Sequence, residues 1–180
     1  MGTTTNNGWP TPVATDLVKD GWEAIKDLGD AIDTTLGVYS PGGKLVQIVN
    51  ATTTTGVTSA TNVYVDTTLT ANITPTSASN NVLVFMQFGH GYKNNGNFAN
   101  VMQMQFLRDA TVIGTFSNLY YTNTTVELAT PGPHFIKLDS PATTSAITYK
   151  AQFRSQNNTS LVGLQGGGSP ASILLMEVTP

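Results

Sequence analysis

The sequence predicts a mainly β protein: a jelly-roll-like β-sandwich preceded by an extended N-terminal arm and one short amphipathic helix. Three observations carry that reading. Apolar and polar residues alternate through several runs, the period-2 mark of half-buried strands. Thr, Asn, Ser and Gly are abundant, Thr suiting strands and the others turns. One stretch near the N-terminus repeats its apolar residues at helical spacing.

Residues 1–12 read as an extended arm, because Pro10 and Pro12 oppose a helix. Asp20 is a fitting N-cap with Glu23 at the capping-box position, and Gly37 is a fitting residue just past the helix end. Between them Trp22, Ile25, Leu28, Ile32 and Leu36 fall in one arc, at about 100° per residue. Glu23, Lys26, Asp27, Asp30 and Asp33 fill the opposite face. Val18, Trp22, Ile25, Gly29, Ile32 and Leu36 also follow 4-3-4-3-4 spacing, the spacing of a coiled-coil seam. A helix of this length is marginal alone in water, so its stripe needs a surface to bury against. Asp30 and Asp33 stand near the helix C-terminus, where the dipole disfavours anions; a basic partner surface would account for them.

"SPGGK" (40–44) marks a boundary, giving an arm and helix over 1–39 and a β-domain over 40–180. "VYVDTTLTANIT" (63–74) turns Val63, Val65, Thr67, Leu69, Ala71 and Ile73 to one side. "PTSASNN" is a loop. "VLVFMQFG" (82–89) is apolar on both faces, as in a central strand or one covered by another subunit. "VMQMQFLR" and "TVIGTF" form a hairpin through Asp109-Ala110. "AITYKAQFR" places Ile147, Tyr149, Ala151 and Phe153 inward. "GGGSP" is a turn, and "SILLMEV" is the last strand.

Charge is uneven. Residues 1–36 carry six acidic groups against two lysines, and the remaining 144 carry six basic against five acidic. No basic patch points to nucleic acid. No apolar run reaches membrane-spanning length, and "MGTTTNNGWP" lacks the form of a signal peptide, so synthesis in a cytoplasm is expected. The absence of cysteine excludes disulfides and thiolate zinc sites, and no cofactor is expected. His90 and His134 are the only histidines, and no metalloprotease, P-loop or EF-hand pattern occurs. "GGSPA" (167–171) is not a nucleophile elbow, since Ala171 replaces its last glycine. A glycosidase pair would have to come from Asp66, Asp109, Glu127, Asp139 and Glu177. "HGYKNNGNF" (90–98), with His90, Tyr92, Lys93 and Phe98 amid amides, has the composition of a sugar-binding loop as well as of a solvated hairpin tip.

Two groups of segments carry a resemblance. "TTTNNGWPTPVATDLVKDGWEAIKDLGDAIDTTLG" resembles the N-terminal segment of tailed-phage minor structural proteins of tail-fibre or head-decoration type. "VYVDTTLTANITPTSASNNVLV", "LDSPATTSAITYKAQFRS" and "SILLMEV" resemble the C-terminal β-domain of similar phage proteins. The resemblance implies a non-enzymatic, homotrimeric appendage on the virion surface. Its partners would be itself and other capsid or tail proteins, held through the N-terminal segment at Trp22, Ile25, Leu28, Ile32 and Leu36. A receptor-binding tail protein touching host-surface glycans through the loops 90–98 and 156–170 is the alternative. A chain beginning at Ser40 is expected to stay soluble and to melt cooperatively, because its alternating strands suffice for a core. Failure to fold would assign the helix to that core.

Overall fold

The computed structural model describes residues 2–3, 9–11, 21–38, 43–96, 100–122, 128–157 and 160–180. The chain forms two compact units, Met1–Lys44 and Leu45–Pro180. In the first, β1 (Gly2–Thr3) pairs antiparallel with β2 (Pro10–Thr11). The arm expected to run extended therefore folds back on itself. Pro10 permits this because a two-stranded ladder is all edge and asks no N–H of it. Helix α1 spans Gly21–Val38. It runs through Gly37, the expected stop, while the expected cap Asp20 lies outside the described residues. Its last turns are held by side chains. Thr34 Oγ1 donates to the Asp30 carbonyl and Thr35 Oγ1 to that of Ala31, and the Trp9 indole donates to Thr35 Oγ1 at 2.9 Å.

Among the described residues the second unit has twelve strands: β3 (Leu45–Thr53), β4 (Val57–Ser59), β5 (Val65–Ile73), β6 (Asn81–Gln87), β7 (His90–Gly96), β8 (Asn100–Arg108), β9 (Thr111–Thr122), β10 (Leu128–Pro131), β11 (His134–Asp139), β12 (Ile147–Ser155), β13 (Ser160–Leu164) and β14 (Ala171–Val178). They make three antiparallel sheets, ordered β11-β6-β14-β3, β10-β7-β13-β4 and β5-β12-β8-β9. The first two have corresponding orders. Each strand of one continues into a strand of the other across a short break: β3 to β4, β6 to β7, β10 to β11, β13 to β14. Together they are one long, bent layer facing β5-β12-β8-β9. The bend requires close backbone approach. A Cβ on Gly132, in the break between β10 and β11, would lie 2.0 Å from the Phe88 carbonyl oxygen.

The pairing has a single centre. β8 and β9 meet at the Asp109–Ala110 turn. Outward from it β7 pairs with β10, β6 with β11, β5 with β12, β4 with β13 and β3 with β14. The chain is one long antiparallel hairpin rolled into two layers, which is the jelly roll anticipated from sequence. Asp109 supports the turn in three ways. It takes a left-handed φ of 51°, which a short polar side chain tolerates. Its N–H donates to the Thr148 carbonyl at 2.7 Å, and its Oδ1 accepts from the Thr148 N–H at 2.8 Å.

The core lies between the layers. Thr67, Leu69, Ala71 and Ile73 of β5 and Ile147, Tyr149, Ala151 and Phe153 of β12 are buried, as the alternation required. Val63, expected to point inward, precedes β5 and is exposed. Across the core β6 contributes Val82, Val84 and Met86, and β14 contributes Ile173 and Leu175. Phe106 stacks on Phe135 with ring centroids 4.0 Å apart, tying β8 to β11. A buried polar staple does the same. Arg108 of β8 donates to Asp139 Oδ2 of β11 at 2.8 Å, and the Tyr149 hydroxyl of β12 donates to the same oxygen at 2.7 Å. Burial and that bond push the Tyr149 phenol well above its ordinary range.

Glu177 of β14 is fully buried in the same row as Asp139, with Val82 of β6 between them. Burial alone would raise its pKa, but hydrogen bonds from Asn80, Gln47, the Thr76 N–H and the Thr76 hydroxyl hold it at about 2. A folded-state pKa below the unfolded one gives stability that is present above the unfolded value and lost as pH falls through the folded one. Glu177→Gln is expected to lower stability at neutral pH by roughly 2 kcal/mol and to flatten the loss between about pH 4.5 and pH 2. Urea midpoints across that range measure it; parallel wild-type and variant curves would show that Glu177 is not a source of the acid sensitivity.

Candidate interaction surfaces

The α1 stripe is divided. Trp22 is 65% and Ile25 67% exposed, while Leu28 and Ile32 are half-buried. The side chain of Leu36 lies outside the described residues. Glu23, Lys26, Asp27, Asp30 and Asp33 are exposed on the other side, with Lys26 and Asp30 paired one turn apart. The helix thus presents two large apolar side chains and an acidic face.

Within the stretch 90–98 the described residues, 90–96, are not a loop. Residues 90–96 are β7, paired on one side with β10 and on the other with β13. The polar run was misleading because a strand in the middle of a sheet can turn its amides to solvent and still be paired on both edges. His90 and Tyr92 are half-buried and their rings stack, with centroids 5.7 Å apart at 23°. Tyr92 lies across Gly163 of β13, where a Cβ would sit 2.4 Å from the ring. Lys93 points the other way and is fully buried. Phe98 lies outside the described residues. The three described contact residues therefore do not form one exposed loop. His90, Tyr92 and Lys93 are placed by a sheet, on opposite faces.

Two of the surface depressions are lined by described residues. One, of about 310 Å³, is lined by Asp66, Thr68, Leu69, Thr70, Thr148 and Lys150. Thr68 there has a φ of 65°, rare for a β-branched residue, beside a register shift between Lys150 and Gln152. The Asp66 carboxylate is occupied. Gln152 donates to Oδ1 at 2.8 Å and Lys150 approaches it at 3.0 Å. Slight burial works against ionisation, but these donors hold its pKa below the ordinary value. No signal in the sequence marked this strained bulge. The other depression, of about 280 Å³, is lined by Phe116, Leu119, Gly132, Pro133 and His134 and is mostly apolar.

The carboxylates that a glycosidase would need are otherwise engaged. Asp109 holds the central turn, Asp139 the inter-layer staple, Glu177 four donors and Asp66 its two partners. Glu127 lies outside the described residues. His90 stacks on Tyr92 and His134 lines the apolar depression, so the two histidines serve different places. Among the described residues no three His, Asp or Glu side chains gather as a metal site would require, and no helix is long and apolar enough to cross a membrane. Gln165 is fully buried with a left-handed backbone, and its side-chain amide has no protein partner; nothing in the sequence marked it.

No protein-family model and no curated protein matches the chain. Among solved structures it is similar to chains of infectious bursal disease virus. One is the structure of the Gt strain, at 13% identity and a TM-score of 0.37, covering 76% of this chain and 39% of that one. Another is the VP2 subviral particle, at 12% identity and a TM-score of 0.39, covering 76% and 38%. The present chain spans about two fifths of the length of those chains.

Burial pushes the Lys93 ammonium below the ordinary lysine pKa. The unfolded chain then holds this proton more tightly than the folded chain. Stability is lower where Lys93 is charged in both states and rises as pH climbs toward the ordinary value. Wild type is expected to gain stability from this group as pH climbs toward the ordinary lysine value of about 10, and Lys93→Met to lack that gain. Urea midpoints against pH decide it; equal slopes in the two proteins would show that Lys93 is not desolvated.

Proposed function

We propose that the chain is a non-enzymatic structural protein of a virus particle, specifically a homotrimeric surface appendage of a tailed phage held on the particle by its N-terminal unit. The observation that carries this reading is the uncovered apolar side of α1, Trp22 and Ile25, in a unit distinct from a β-domain that completes its own core. Such a stripe is what a short helix needs for docking and is a liability otherwise. The sequence resemblance of the N-terminal segment to phage minor structural proteins supports the same reading, as does the engagement of Asp66, Asp109, Asp139 and Glu177 in structural bonds. Capsid decoration is preferred to receptor binding at a tail tip, because the proposed receptor stretch is a paired strand with Lys93 inside.

Retention on purified particles after sedimentation tests the reading. Burying Trp22 and Ile25 is worth about 3 kcal/mol for the pair, taking them as partly buried already. Trp22→Asp with Ile25→Asp is therefore expected to weaken attachment about a hundredfold. Neutralising Asp27, Asp30 and Asp33 to Asn should weaken it modestly and flatten its dependence on salt, as exposed pairs contribute about 0–1 kcal/mol each. Tyr92→Ala should leave attachment unchanged. Helix variants that stay bound while Tyr92→Ala falls off would invert the assignment and make the β-domain the anchor.

A further inference from the structure

The two outer faces of the sandwich differ in chemistry. On β5-β12-β8-β9 most outward side chains are polar and bond to one another, Gln105 with Gln152, Gln152 and Lys150 with Asp66, Arg154 with Gln103, while Leu107 and Val112 add one apolar pair near the central turn. On β11-β6-β14-β3 the register sets Ile136, Phe85, Leu174 and Asn50 abreast in one row. The next row is Leu138, Leu83, Met176 and Ile48. These positions alternate with core residues such as Phe135, Val84, Met86, Ile173 and Leu175, so they face away from the core. Ile136 is 60%, Leu138 56% and Ile48 55% exposed at the two edge strands. Neither row holds an Asp, Glu, Lys or Arg, in a chain with eight basic and eleven acidic residues.

We propose that this face packs against the same face of two other copies of the chain around a threefold axis; the proposal rests on the homotrimer reading and names the surface that makes it. Self-packing brings each group against its own kind, so a charge in these rows would meet a like charge in low dielectric; rows of Ile, Leu, Phe and Met meet no such penalty. The width fits as well. Four strands about 4.8 Å apart make a face about 19 Å wide, and three such faces closed as a triangular prism lie about 5.5 Å from the axis, close to half the ~10 Å spacing of packed sheets. The side chains of the two rows then fill the axis. Each central-strand residue, Leu83, Phe85, Leu174 or Met176, lies nearest the axis, and the edge residues meet the neighbouring copies.

The test uses the full chain at micromolar concentration in sedimentation equilibrium. Wild type is expected at three times the chain mass. Ile48→Lys with Leu138→Lys, at side chains already more than half exposed, is expected to raise the dissociation constant at least a hundredfold and give monomer with an unchanged cooperative melt. Leu138→Gln, a milder change, is expected to weaken the trimer without altering the melt. Thr70→Lys on the opposite outer face and Trp22→Asp with Ile25→Asp are expected to remain trimeric. A trimer that survives both face variants overturns the proposal and leaves the homotrimer reading standing. A wild-type monomer overturns both, and a dimer lost on face substitution overturns the threefold packing.

Discussion

The fold depends on one two-residue turn. Asp109–Ala110 closes β8 onto β9, and the nested pairs β7–β10, β6–β11, β5–β12, β4–β13 and β3–β14 lie outward from it. A slip of one residue there would send each inward side chain to the opposite face. Asp109 resists such a slip because its backbone and carboxylate both bond to Thr148, in a strand far away in sequence. That link fixes β12 against the turn. The outermost pair, β3 with β14, closes the roll.

Rolling a hairpin into two layers buries one face of each sheet and leaves two faces outside. The polar outer face is self-satisfied by amides and charge pairs. The apolar outer face is not, since Ile136, Leu138 and Ile48 stand exposed with no polar function to perform. The constraint that completes the core therefore also creates a surface needing a partner. The same holds for α1, where Trp22 and Ile25 remain uncovered. Under the proposed reading the exposed apolar side chains of the β-domain would meet other copies of the chain and those of α1 would meet the particle.

Much of the sandwich was legible in the sequence because its strands alternate strictly. Leu69, Ala71 and Ile73, and Ile147, Tyr149, Ala151 and Phe153, are buried as their period-2 spacing requires. The Asp109-Ala110 hairpin was legible from turn chemistry. The double apolar character of 82–89 was legible too: β6 is central, with β11 and β14 on its two sides. What could not be read was local polarity overridden by tertiary pairing. "HGYKNN" looks like a loop, yet β10 and β13 pair with it and Lys93 is inside. Likewise the arm looks extended, yet Gly2–Thr3 meets Pro10–Thr11. Beyond the two apolar faces of 82–89, the extent of the apolar outer face could not be read either. Its rows are assembled from four strands distant in sequence, so no single segment shows more than two of its members at period-2 spacing on a continuous run.

The chain contains no cysteine, so a single introduced thiol reports its neighbours without background. The most direct measurement is cross-linking of Leu174→Cys, at the middle of the apolar face, with a short thiol-reactive linker, beside Thr70→Cys on the polar face. The account predicts covalent pairs from Leu174→Cys at micromolar concentration and none from Thr70→Cys. Covalent pairs from Thr70→Cys with Leu174→Cys unlinked would place the contact between copies on the other layer and contradict the account.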